Sequence, residues 1–225
     1  MVNYEEMIKK LLGNGDRDLK RTCVSKERLE NLLKQTKHYV DNNIDGAFVE
    51  CGTWKGGCVS LMATVASQEN KGRQVYAYDS FQGFPEETQN DSGRPEELQK
   101  DFKCHRPAGY LSINEEEFHK TFEMVGLTKE SVNLSVGLFE NTIINNDIDK
   151  IAILRLDSDL YESTKLCLET FYDKVIPGGC IIIDDYGHYL GCKIAIDEFL
   201  TTRGVDINEL KKTDYTERYF FKAVS

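Results

Sequence analysis

Apolar positions fall into two kinds of pattern along this chain, and the clearest lie in its second half. Ile151-Ala152-Ile153-Leu154-Arg155-Leu156 and Cys180-Ile181-Ile182-Ile183 are short, apolar and rich in β-branched residues, which predicts buried strands. Between them, over Tyr161 to Val175, Leu160, Cys167, Leu168, Phe171 and Val175 share one helical stripe, and Pro177-Gly178-Gly179 then breaks the chain. Strand, helix and strand in that order predict parallel neighbours joined by a right-handed crossover, with carboxyl ends about 5 Å apart.

The same patterning organises the rest. Tyr4 to Leu12 and Lys26 to Val40 read as amphipathic helices, the second with Leu29, Leu32, Leu33 and Val40 at helical spacing behind a Ser25 cap. They cover a sheet edge or serve as a lid or subunit contact. Ala47-Phe48-Val49-Glu50 is the first predicted strand, followed by a glycine-rich turn, a helix from about Cys58 to Gln68 and a second strand, Gln74 to Asp79. A polar stretch from Pro85 to about Asn114, with Glu96, Glu97, Asp101, Lys100, Lys103 and His105, is either a mobile lid or a solvated insertion. Beyond it come a helix around Glu115 to Val125, a strand at Val132 to Val136 ending at Gly137, a helix over Lys193 to Leu200, and two closing strands near Glu209 to Thr213 and Arg218 to Ala223.

Carboxylates begin where the two apolar runs end. Asp157 follows the first, and Asp184 and Asp185 follow the second, so parallel pairing brings all three to one spot. Carboxylates that close repel one another unless some hold protons or a cation sits among them. All-oxygen ligands with positions left for water and substrate suit Mg²⁺; solvated acids at strand tips are the plainer alternative. A glycine turn after one strand and an acid ending the next is the arrangement that holds a nucleoside-containing cofactor, so Glu50, the glycines Gly52 and Gly56, and Asp79 outline such a site, with Gly137 leaving room for a base. Gly52-x-x-x-Gly56-Gly57 is not the dinucleotide fingerprint, and its weight comes from its place in this order.

Composition narrows the partners. The chain has 225 residues, 28 basic against 38 acidic, for a net charge of −10, which disfavours nucleic acid and anionic membrane. Seven cysteines, none in a C-x-x-C pair, read as reduced core thiols, and no apolar stretch approaches a membrane span, so the expectation is a cytoplasmic protein.

Five segments, in order, resemble a known family: Phe48-Val49-Glu50-Cys51-Gly52-Thr53-Trp54-Lys55-Gly56-Gly57, Asp79-Ser80-Phe81-Gln82-Gly83-Phe84-Pro85, Gly137-Leu138-Phe139-Glu140-Asn141-Thr142, Leu154 to Thr164, and Gly178 to Gly187. They are similar to the motifs of the macrocin O-methyltransferase (TylF-like) family, from about Gly46 to Phe199. The resemblance implies an α/β, Rossmann-like class I methyltransferase fold, with a seven-stranded, mostly parallel sheet whose last strand is antiparallel; the N-terminal helical segment (1–45) is read from its amphipathic pattern and lies outside the resemblance. The resemblance also implies S-adenosyl-L-methionine as cosubstrate and Mg²⁺-dependent methylation of a hydroxyl on a sugar or a glycosylated or nucleotide-linked small molecule. On this likeness Asp157, Asp184 and Asp185 fall on metal ligands and Asp159 on the general base. Glu50, Gly52, Thr53, Gly56, Asp79, Ser80, Gly137 and Phe139 fall on the cofactor site. A homo-oligomer is expected from the family and from the amphipathic N-terminal helices.

His188, next to the acidic pair, is a rival base because imidazole titrates near neutrality. Tyr161-Glu162-Ser163-Thr164-Lys165 mimics the Tyr-x-x-x-Lys of short-chain dehydrogenases, but Cys58 stands where a third glycine belongs and the aspartates would have no task. A catechol-type Mg²⁺-dependent O-methyltransferase and a non-catalytic cofactor-binding module are the remaining alternatives.

Overall fold

The computed structural model describes residues 2–69, 71–92 and 106–224. Two helices open the chain, α1 (Tyr4–Leu11) and α2 (Lys26–Asp41). Strands and helices then follow as β1 (Ala47–Cys51), α3 (Gly57–Ala66), β2 (Val75–Asp79), the short α4 (Gln89–Ser92), α5 (Glu115–Met124), β3 (Asn133–Val136) and α6 (Phe139–Thr142). The second half runs β4 (Ile151–Leu156), α7 (Tyr161–Phe171), β5 (Val175–Ile183), α8 (Leu190–Thr202), β6 (Lys211–Lys212) and β7 (Arg218–Phe221). The seven strands form one sheet in the order β3-β2-β1-β4-β5-β7-β6. β1 to β5 are parallel, and β7 pairs antiparallel with both β5 and β6.

Every residue of β1 and β4 is buried, as strands covered on both faces require. Alternate side chains go to opposite cores. Phe48, Ile153 and Ile182 pack with Leu29, Leu32 and Tyr39 of α2 and with Leu61 of α3. Val49, Leu154 and Ile181 pack instead with Leu168 and Phe171 of α7 and with Ile196 and Leu200 of α8. Burying each such side chain contributes about 1.5–3 kcal/mol, so α1 and α2 help to build one face of the sheet. They do not merely screen an edge. Ser25 caps α2 as its sequence implies, its hydroxyl accepting the Arg28 N–H at 3.2 Å.

The structure departs from the sequence expectation at several places, among them the closing strands, which are shortened to Lys211–Lys212 and Arg218–Phe221. Val175 leaves the helical stripe and begins β5: Ile151 pairs with Val175 and Ile153 with Cys180, so Pro177, Gly178 and Gly179 form a bulge inside a strand. α8 starts at Leu190, ahead of Lys193, because Gly191 and Cys192 are buried within it. α4 and α6 are single turns too short to show a period. Residues 93–105 of the expected insertion, including Glu96, Glu97, Lys100, Asp101, Lys103, Cys104 and His105, lie outside the described residues.

The order of the sheet sets where a ligand goes. From β1 the chain winds outward to β2 and β3, then returns to place β4 on the other side of β1. A crevice opens at the carboxyl ends where the winding reverses, between β1 and β4. Gly52 belongs to that junction: its φ is +82°, and a Cβ there would stand 1.8 Å from the carbonyl oxygen of Asp157, so only glycine lets the two strand ends meet.

Candidate active site

Cys51, Leu156 and Ile183 lie side by side across β1, β4 and β5. The ladder runs one residue further, with Asp157 N–H donating to the Cys51 carbonyl and Asp184 N–H to that of Leu156, each at 2.9 Å. Asp157 and Asp184 therefore emerge together. Asp157, Asp184 and Asp185 each offer a carboxylate oxygen within 4.8 Å of the others, as the sequence expectation required of them.

Two arginines hold this cluster. Glu50, Arg155 and Ile182 share a row of the sheet, and Arg155, two residues before Asp157, projects from the same face of β4. Its guanidinium, 1% exposed, donates to Glu50 at 2.6 Å, to Asp157 at 2.8 Å and to Asp184. That face is the one α2 covers, and Arg28 of α2 reaches the other oxygen of Asp184 at 2.5 Å and pairs with Asp214 at 3.1 Å. Acids still outnumber the arginines. Burial first, then the neighbouring carboxylates, push Asp159 and Asp185 well above the usual carboxylate range. The same causes push Asp184 up to about 6, against the pull of Arg155 and Arg28. Asp185 Oδ2 is buried without a hydrogen-bond partner. A hard divalent cation fits this donor set: it would satisfy that oxygen and replace protons as the neutralising charge.

A cavity of about 870 Å³ opens beside the cluster. It is lined by Glu50, Gly52, Thr53, Asp79, Ser80, Gly137, Phe139, Asp157, Asp159, Asp184, Asp185 and His188. Of the residues singled out in sequence, Gly56 alone stands apart from that lining. It precedes α3 with φ +80°, packed on the ring of Phe118. Three polar atoms on the cavity's β1 side are buried without a partner: Glu50 Oε2, Thr53 Oγ1 and Trp54 Nε1. They are an acceptor, a hydroxyl and a donor, matching the ammonium and carboxylate of an amino acid. Burial raises Glu50 to about 8, with Arg155 opposing.

Asp79 has a second task beside its place at the cavity. Its Oδ2 accepts the N–H groups of Thr53 and Trp54 and its Oδ1 that of Phe81, all at 2.7 Å, so it clasps the glycine turn and keeps about one acceptor position of four open. Ser80 turns its own loop by accepting the Gln82 N–H at 3.1 Å. Trp54, Phe81 and Asp159, each just past a strand end, have φ of 45°, 55° and 57°. Such backbone costs of order 1–3 kcal/mol per residue and gathers at functional sites. His188 stacks edge-on against Tyr189 with centroids 4.6 Å apart, and both N–H groups fold back on the Asp185 carbonyl.

Arg28, Arg155, Trp54 and Tyr189 were not among the sequence candidates. Arg155 did carry a signal, being a charge inside an otherwise apolar strand, whereas the reach of Arg28 depends on how α2 packs.

A doubly wound sheet with an antiparallel β7, a glycine turn after β1, an acid after β2 and the cavity along its carboxyl edge define a class I S-adenosylmethionine-dependent methyltransferase. The chain belongs to the macrocin-O-methyltransferase (TylF) family, whose sequence model matches residues 4–222, and it is an S-adenosylmethionine-dependent O-methyltransferase. It is 35% identical over 179 residues to demethyldecarbamoylnovobiocin O-methyltransferase of Streptomyces niveus, covering 79% of this chain and 67% of that one. It is 30% identical over 207 residues to the 8-demethyl-8-(2,3-dimethoxy-alpha-L-rhamnosyl)-tetracenomycin-C 4'-O-methyltransferase of Streptomyces olivaceus, covering 91% and 77%. The solved O-methyltransferase NovP superposes with a TM-score of 0.83 at 31% identity over 98% of both chains. The calicheamicin methyltransferase CalS11, at 19% identity, a TM-score of 0.70 and coverage of 98% and 86%, shares the fold.

Proposed function

We propose that this protein methylates a hydroxyl of a sugar carried on a small molecule, using S-adenosylmethionine and a Mg²⁺ ion held by Asp157, Asp184 and Asp185. The observation that carries the reading is the convergence of those three carboxylates, with Asp185 Oδ2 left unpartnered, beside a cavity large enough for two small molecules. The named activities of the relatives, one on a rhamnosyl-bearing tetracenomycin, support a sugar-bearing acceptor. When bound, S-adenosylmethionine supplies the methyl group and Mg²⁺ the positive charge that makes a nearby hydroxyl more acidic.

The residues of the chain divide the remaining work. Glu50 Oε2 is the acceptor for the cationic amino-acid end of the donor, and Trp54 Nε1 and Thr53 Oγ1 the partners for its carboxylate. Asp79 holds the turn that presents them. Asp159 takes the hydroxyl proton: its crowded, half-buried carboxylate has a raised proton affinity, which brings it nearer to what a general base at neutral pH requires. Fixing acceptor and donor in one cavity supplies the alignment that displacement needs.

Calorimetric titration tests both halves of the site. S-adenosylmethionine should bind the wild-type chain, Mg²⁺ should bind wild type but not Asp184→Ala, and Asp159→Asn should keep donor binding while losing turnover on a panel of glycosides. Mg²⁺ binding that ignores Asp184→Ala would sink the metal assignment; full turnover in Asp159→Asn would transfer the base to His188.

A further inference from the structure

The helix that follows the catalytic turn has no cap of its own. Leu160 precedes α7, and its side chain carries no oxygen to accept the orphan N–H groups of the first turn. The missing acceptor comes from α4. Asp91, 6% exposed, accepts the Tyr161 N–H on Oδ1 at 2.8 Å, while its Oδ2 accepts the Thr88 N–H and hydroxyl, both at 2.9 Å. A third element makes room for it. A Cβ on Gly191, in the first turn of α8, would stand 1.9 Å from Asp91 Oδ1 and 2.9 Å from the Tyr161 nitrogen.

The residues this contact immobilises are the ones the chemistry needs. Between the end of β4 and Tyr161 lie only Asp157, Ser158, Asp159 and Leu160. The turn is tight: Leu160 N–H returns to the Ser158 carbonyl at 2.6 Å, and Asp159 is held at φ 57°. Left-handed backbone at a non-glycine residue persists only where its surroundings over-determine it. One end is pinned by Asp157 N–H on the Cys51 carbonyl at 2.9 Å and the middle by the Ser158 and Thr164 hydroxyls, 2.9 Å apart. Asp91 pins the other end, and its negative charge also suits the positive end of α7.

We propose that Asp91 is a positioning residue. By capping α7 from α4, in the notch left by Gly191, it fixes the Asp157–Leu160 turn and thereby the carboxylates of Asp157 and Asp159. The inference rests on the reading of Asp157 as a cation ligand and adds to it a carboxylate of the cavity wall whose oxygens are engaged by Thr88 and Tyr161.

The experiment uses the full chain as wild type, Asp91→Ala, Asp91→Asn and Gly191→Ala, titrated with MgCl₂ and separately with S-adenosylmethionine, alongside amide exchange over residues 157–161. Asp91→Ala and Gly191→Ala should weaken Mg²⁺ by roughly 10- to 100-fold, the range outer-shell partners command. They should leave the donor's affinity unchanged and speed exchange across the turn. Asp91→Asn keeps an acceptor for the Tyr161 N–H but turns an NH₂ toward the Thr88 N–H, so it should fall between wild type and Asp91→Ala. Gly191→Ala covers the case in which Asp91→Ala does not fold, because alanine itself favours the helix. Wild-type Mg²⁺ affinity in Gly191→Ala with faster exchange at Tyr161 overturns the proposal. A wild-type chain that binds no Mg²⁺ overturns the cation reading instead. In that event exchange decides alone, and an unchanged turn in both alanine variants overturns the positioning role too.

Discussion

Arg155 changes the account of how the acidic cluster is tolerated. Three carboxylates at adjoining strand ends pointed to a cation, yet the fold already provides one permanent charge beneath them and another, Arg28, beside them. The two arginines still leave a place for the proposed cation, because neither reaches Asp185 Oδ2, which is buried without a hydrogen-bond partner. Their task is to set the orientation of Asp157 and Asp184 and to join them to Glu50. Arg155→Met should therefore lose about 3–5 kcal/mol, the usual cost of leaving a buried charge without its partner, seen as a lower urea midpoint. Arg155→Lys should fall between, since an ammonium keeps the charge but loses the planar fork. A wild-type midpoint for Arg155→Met would mean that the carboxylates find other partners.

At the scale of elements, the strands are regular and the junctions after them carry the strain. β1, β2 and β4 each lead within a few residues to a left-handed non-glycine residue, Trp54, Phe81 and Asp159. Asp79 holds two of these with backbone hydrogen bonds, and the contacts of α7 with α4 hold the third. Gly52 is the position with least latitude. Gly52→Ala combines a left-handed backbone, of order 1–3 kcal/mol, with a clash against the Asp157 carbonyl. It should lower stability in chemical denaturation, weaken S-adenosylmethionine by disturbing the glycine turn, and weaken Mg²⁺ by displacing Asp157. Unchanged stability would show that β1 and β4 can separate at their carboxyl ends without penalty.

Taken whole, the molecule buries several of its acids. Burial raises Glu50 to about 8 and Glu217, beneath the site in the turn before β7, to about 7. For an acid whose folded pKa is raised, the folded state holds more protons than the unfolded chain, so stability is greatest below the unfolded value and is lost as pH rises through the folded one. The window runs from 4.5, the ordinary value, to about 8. The melting temperature of metal-free protein should fall across it, and Glu217→Gln should flatten the fall in part by removing one of the raised acids, Asp159, Asp184 and Asp185 being others. A melting temperature that rises over the same window would show that these carboxylates are ionised and paired. No helix among the described residues is long and apolar enough to cross a membrane.

Much of this was legible in the residues. Short β-branched runs, a Ser25 cap and a glycine turn are local patterns, so the strands β1, β4 and the end of β5, the helices α2 and α5, and the approach of Asp157 to Asp184 and Asp185 all follow from the order of side chains along the chain. The family likeness, resting on contiguous motifs, was equally readable, and the matched family bears it out. What the tertiary structure decided is whatever depends on distance in sequence. Arg28 meets Asp184 across 156 positions and Asp91 meets Tyr161 across 70, and neither contact leaves a periodic trace. The bulge at Pro177 to Gly179 belongs to the same class, because proline and glycine break a helix and interrupt a strand alike, and only pairing with β4 tells which. Local pattern fixes which residues stand at a strand's end; the packing of the elements around that end determines what each of them touches.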